Sequence, residues 1–167
     1  MSDNTFQSKK FKNNLERYEA AHDAGKPLYL DPDELTDIAE YYHLHGQLGK
    51  ALDAIHLAIQ MFPGSTQPLA FRARVAVLLD NNAEEAIHYA EQIEDKSDLD
   101  YYYIMAEIMI AGGDDEKANQ YLTKKSTEIS NEDIDDYYLD VATLFADYDN
   151  LTMAKKWLSL MNDTESD

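Results

Sequence analysis

The sequence predicts an all-α protein built from helix hairpins in tandem, and three observations carry that prediction. The chain of 167 residues holds six glycines and four prolines, too few for the many tight corners of an all-β sandwich. Its apolar residues recur at i, i+3, i+4 and i+7, the spacing that gathers them on one face of a helix. The pattern itself returns roughly every 34 residues, so one structural unit is used several times. The length suits a single domain with a real core. A hydrophobic share of 44% is too high for a disordered acidic chain.

In chain order, residues 6–25 are expected to form one amphipathic helix with Phe11, Leu15 and Tyr18 on its buried face. The first hairpin spans about 32–65. Leu35, Ile38, Ala39 and Tyr42 share one face of its first helix, and Leu48, Ala51, Leu52, Ile55, Ile59 and Phe62 share one face of its second. The link between them is short, which makes the two helices antiparallel neighbours. The second hairpin, about 66–97, is the most irregular. Its first helix is off register by one residue, Arg72 or Arg74 falls beside the core, and Asp80-Asn81-Asn82 stands where a turn glycine would. The third, about 99–131, carries Tyr102, Met105, Ala106 and Met109, then Ala118, Tyr121 and Leu122, with Gly112-Gly113 between. The fourth, about 135–167, carries Tyr138, Val141, Ala142 and Phe145, then Ala154, Trp157 and Leu158, with Asp149 at the turn. Two alanine series run through the array: 39, 73, 106, 142 in the first helices and 51, 86, 118, 154 in the second. A small residue at each of these places lets two helices approach closely.

The stretch from Pro32 to Ser65 resembles a tetratricopeptide repeat. Leu35 and Ile38 stand at its large apolar positions, and Ala39, Ala51 and Ala58 at its small ones. Tyr42 is its aromatic, Gly46 its turn and Pro63 its close. The resemblance covers about 130 residues and extends to the N-terminal part of bacterial multi-repeat proteins of this family. It implies a right-handed superhelical solenoid of about four repeats plus an N-terminal helix. It also implies that first helices line a concave groove used to hold peptides or partner helices.

Composition narrows the chemistry. There is no cysteine, so thiolate catalysis, disulfides and Cys-ligated metals are excluded. No Gly-x-Ser-x-Gly or Gly-rich phosphate loop occurs, and we expect no enzymatic activity and no cofactor. Glu40-x-x-His43 and Glu85-x-x-His88 have the spacing of helical metal ligands. The first pair falls on a first helix and the second on a second helix, so they should not converge. Asp147-Tyr-Asp149 opens like a calcium loop, but Leu158 stands where the bidentate glutamate belongs. The formal charge of −19 repels phosphate backbones and anionic lipid, so neither nucleic acid nor membrane is expected as a partner. With no apolar leader and no long apolar run, the expected compartment is the cytoplasm.

Much of the acidity falls at expected helix starts, where carboxylates cap free N–H groups and meet the positive end of the helix dipole. The rest suggests an acidic groove for a basic or amphipathic protein segment. Projecting the repeat pattern onto the chain places Glu40 and His43, Arg74, Tyr103 and Glu107, and Thr143 and Asp147 along that groove, with Tyr103 as the aromatic anchor. A carboxylate-gripping groove would need several Lys, Arg and Asn residues, which this lining lacks. An alternative site is the C-terminal end, where Met153, Trp157, Leu160 and Met161 make the last helix apolar on more than one face. An uncovered array end exposes the surface a next repeat would bury. This fits either homodimerisation through that end or a chain that is the N-terminal, regulatory part of a longer protein.

Overall fold

A computed structural model describes residues 3–162, which hold ten helices and no strand. The first two, α1 (Asp3–Gln7) and α2 (Lys9–Ala24), precede four hairpins. These are α3 (Pro32–Leu44) with α4 (Leu48–Met61), α5 (Thr66–Leu78) with α6 (Ala83–Glu91), α7 (Leu99–Ala111) with α8 (Asp115–Ser126), and α9 (Ile134–Asp147) with α10 (Leu151–Asn162). Residues 163–167, which the fourth hairpin was expected to include, lie outside the described residues.

The single helix expected over 6–25 is two. Ser8 breaks it by serving both sides: its hydroxyl donates to the Thr5 carbonyl (2.8 Å) and accepts from the Phe11 amide (3.1 Å). This satisfies one of the free donors at the start of α2. The short α1 then folds Phe6 against Phe11 and Tyr41.

The hairpins stack in order. Each first helix packs on the next, α3 on α5, α5 on α7 and α7 on α9. The second helices α4, α6 and α8 each pack on the first helix of the following hairpin. All eight alanines of the two series are buried: residues 39, 51, 73, 86, 106 and 118 are 0% exposed, Ala142 2% and Ala154 5%. Their burial is what the close helix approach expected at these places requires.

The turns repeat as faithfully as the alanines. Gly46, Asn81, Gly113 and Asp149 all have positive φ, and each stands five residues before the alanine of the second helix. Three of these turns share one hydrogen-bond pattern. The amides of Gln47, Asp114 and Asn150 reach back to the carbonyls of Tyr42, Met109 and Phe145, at 2.8–2.9 Å. This is the Schellman closure of a helix by a left-handed residue. In the second hairpin Asn82 reaches one residue further back, to Ala76. From Ala73 to Asn81 is eight residues, against seven in the other three. That one extra residue is the physical form of the register shift in 66–97, and asparagine tolerates the left-handed conformation that glycine supplies elsewhere.

α5 lies between α3, α4, α6 and α7, so it is buried on several sides. Arg72, one of its buried residues, lies over the Tyr89 ring (4.7 Å) and pairs with Glu85 at 3.0 Å. The charge beside the core is therefore held inside its own hairpin.

Candidate functional site

The residues expected along the inner face do not behave alike. Glu40 and His43 on α3 and Arg74 on α5 line one open cleft of about 260 Å³, together with Leu44, Phe71, Val75, Leu78 and Leu79. The His43 ring stands edge-on to Phe71, centroids 6.3 Å apart, and forms part of the wall. Leu44 (64% exposed), Leu78 (54%) and Leu79 (50%) form an apolar rim open to solvent. Glu40 is one helical turn from Leu44, and Arg74 one turn from Leu78, so each leucine shares a helix face with a charge.

Arg74 joins the cleft to the rest of the row. Its Nε donates to Glu107 Oε2 at 3.0 Å, and the Tyr148 hydroxyl donates to Glu107 Oε1 at 3.1 Å. Glu107 is buried, while the Arg74 side chain is 44% exposed. One carboxylate thus ties α5, α7 and the end of α9 together. Burial, followed by the charge of Glu107, holds the Tyr148 hydroxyl well above the ordinary tyrosine range, and the hydrogen bond acts in the same sense.

Tyr103 is not a free anchor. Its hydroxyl donates to Asp140 Oδ2 at 2.9 Å and its ring stacks on Tyr137 at 5.9 Å. Its hydroxyl and one ring contact are engaged within the chain while the side chain stays partly exposed, and burial pushes its hydroxyl far above the usual range. Thr143 and Asp147 are exposed on α9, outside the cleft lining. The Thr143 hydroxyl donates to the Leu139 carbonyl at 2.9 Å. The apolar residues that line the cleft are Leu44, Phe71, Val75, Leu78 and Leu79, and Tyr103 is not among them. A signal for them was present, since Leu44 and Leu78 each follow a lining residue by four.

The end of the array needs a similar correction. Trp157 is 4% exposed. Its Nε1 donates to Asn119 Oδ1 at 2.8 Å and its ring meets Tyr137 and Tyr138 at 6.1 and 5.8 Å. It is a core residue whose edge lines an open hollow with Tyr138, Met153 and Leu160. Met153 is partly buried in the same cluster, and Leu160, 39% exposed, belongs with Leu151 and Leu158 to what α10 leaves open. Met161 is partly buried.

Around the cleft the charge is negative. A neighbouring hollow is lined by Asp31, Asp33, Glu34 and Asp37 with Lys10. Burial, then the charge of Asp31 and those of Asp100 and Asp98 at the start of α7, raise the Asp33 carboxyl. Burial also raises Glu40, against the pull of Arg74 and His43. The Asp37 carboxyl is pushed up to about 6, by burial first and then by Glu40, Asp33, Asp31 and Glu34. A carboxyl raised in the folded state binds its proton more tightly there than in the unfolded chain. The contribution of Asp37 to stability is therefore most favourable below the ordinary value of 3.8 and is lost as pH rises through about 6. Replacing Asp37 with Asn should stabilise the fold at pH 7 by about 1 kcal/mol after allowance for solvent screening, roughly 2–4 °C in Tm. The gain should fade below about pH 4, which thermal melts of both proteins across pH 3.5–7.5 would show.

Glu85 is engaged by Arg72, whereas Glu40 lines the cleft, so the two Glu-x-x-His pairs serve different surroundings. Among the described residues no three His, Asp or Glu side chains are grouped as metal ligands, and no helix is long and apolar enough to cross a membrane. No protein-family model, curated protein or solved structure matches the chain.

Proposed function

We propose that this chain is a tetratricopeptide-type solenoid that acts as a non-enzymatic scaffold, holding a basic or amphipathic protein segment along the inner row of α3, α5, α7 and α9. The observation that carries the reading is the coincidence, on that row, of an open apolar cleft with a surplus of carboxylates. The one arginine lining the cleft is already paired to Glu107. Apolar area supplies affinity and the acidic surround supplies steering and selectivity between partners. The eight buried alanines and the repeating left-handed turns support the repeat assignment, and the net charge supports a cytoplasmic, protein-directed role over one on nucleic acid or lipid.

The test uses an amphipathic peptide of leucine and lysine about four helical turns long, its leucines on one face. Amide hydrogen exchange of the full chain should show added protection concentrated in α3, α5 and α7 when the peptide is present. Protection spread evenly over all acidic helices, or confined to α10, would overturn the reading. The second outcome would favour association through the C-terminal end, for which Leu151, Leu158 and Leu160 remain exposed.

A further inference from the structure

Resting on that reading, we infer that the cleft between α3 and α5 is the anchor point of the groove. It receives one bulky aliphatic side chain of a helical partner segment between Leu44, Phe71 and Leu78, and Glu40 takes a Lys or Arg that the partner carries one turn away.

Size supports a side chain over a small molecule. The cleft holds about 260 Å³, below the roughly 300–1,000 Å³ typical of small-molecule sites. Its rim is unusually apolar for a chain of this charge, with three leucines half or more exposed on two adjacent helices. Single exposed leucines are ordinary, but a cluster framing a hollow marks a contact surface.

Charge supplies the second half of the specification. Arg74 lines the cleft and acts on Glu40, but its Nε is held by Glu107, so part of its charge is already answered within the chain. Glu40 is half-buried at the cleft edge, on the same helix face as Leu44 and next to Asp37. The partner that satisfies both features carries an aliphatic residue with a cation at i+3 or i+4, the spacing that keeps two side chains on one helix face. An acidic or wholly polar segment satisfies neither.

The experiment measures binding of the leucine–lysine peptide by fluorescence anisotropy at low and high salt, with three variants of the full chain checked for unchanged helicity. Leu44→Ser with Leu78→Ser removes apolar surface that is more than half exposed and should weaken binding by about tenfold or more at both salts. Glu40→Gln should weaken it several-fold at low salt and less at high salt. Asp136→Asn with Asp147→Asn removes exposed charge from the two ends of α9, outside the cleft lining, and should change affinity no more than about two- to threefold, at low salt alone.

If the leucine pair leaves affinity unchanged while the aspartate pair lowers it, the anchor is overturned and the acidic groove stands. If the peptide fails to bind the unaltered chain, or no variant changes its affinity, both readings fall.

Discussion

Replacing Trp157 with alanine is expected to cost about 3–5 kcal/mol, the range for deleting a buried large aromatic side chain. The indole is 4% exposed and packs against Tyr137 and Tyr138 while its N–H bonds Asn119 on α8. Its removal empties a site shared by α8, α9 and α10 and leaves the Asn119 oxygen without its donor. In a stacked array each hairpin is stabilised mainly by its neighbours, so the damage should be local first. Amide exchange should show α9 and α10 losing protection while α3 to α6 keep theirs. Trp157→Phe keeps most of the ring packing and loses the hydrogen bond, and should cost about 1–2 kcal/mol. A loss below 1 kcal/mol for the alanine variant would mean that the indole faces outward after all.

Trp157 also shows where reading by periodicity stops. Spacing places a residue on a helix face, and in α3 that is sufficient: Leu35, Ile38, Ala39 and Tyr42 are all 3% exposed or less. One stripe faces one neighbour and the opposite face is wet. In α10 more than one face is apolar, and spacing alone cannot say which is covered. The answer depends on Asn119, 38 residues earlier, which gives the indole N–H its acceptor.

α5 was hard to read for the opposite reason. Pro68 to Ala73 and Val75 to Val77 are buried around most of the helix, because α3, α4, α6 and α7 surround it. A helix enclosed on several sides has no polar stripe to set a phase, so the one-residue offset visible in the sequence gains its physical form, the extra residue before Asn81, only from the turn. The turn positions were legible because they depend on local backbone chemistry: glycine, asparagine or aspartate at the left-handed residue.

The site divides along the same line. Glu40, His43 and Arg74 could be placed together because each follows from its own repeat position. Tyr103 could not be excluded as an anchor, since its occupant Asp140 stands 37 residues away on the next first helix. The cleft itself depends on which leucines the neighbouring hairpins leave uncovered. That is a property of the stack, and no single repeat contains it.

The second large effect expected is an asymmetry between the partners of the Arg74–Glu107 pair. Arg74→Met should cost about 2–3 kcal/mol, because it leaves the Glu107 carboxylate buried with only the Tyr148 hydroxyl for company. Removing one partner of a fully buried pair costs about 3–5 kcal/mol, and the exposure of the Arg74 site lets water offset part of that here. Glu107→Gln should cost only about 1 kcal/mol. The amide can still accept from Tyr148, and the half-exposed guanidinium turns to solvent. The double variant should then be more stable than Arg74→Met alone, since no unpaired charge is left inside. Urea unfolding of the four proteins gives the coupling directly, and distant, independent sites would add within about 0.5 kcal/mol. Additive costs would mean that the pair does not hold α5 to α7 in solution. A strong coupling would mean that the arginine lining the cleft is fixed in place by the core, so that the basic partner proposed above would meet the acids around the cleft without having to displace it.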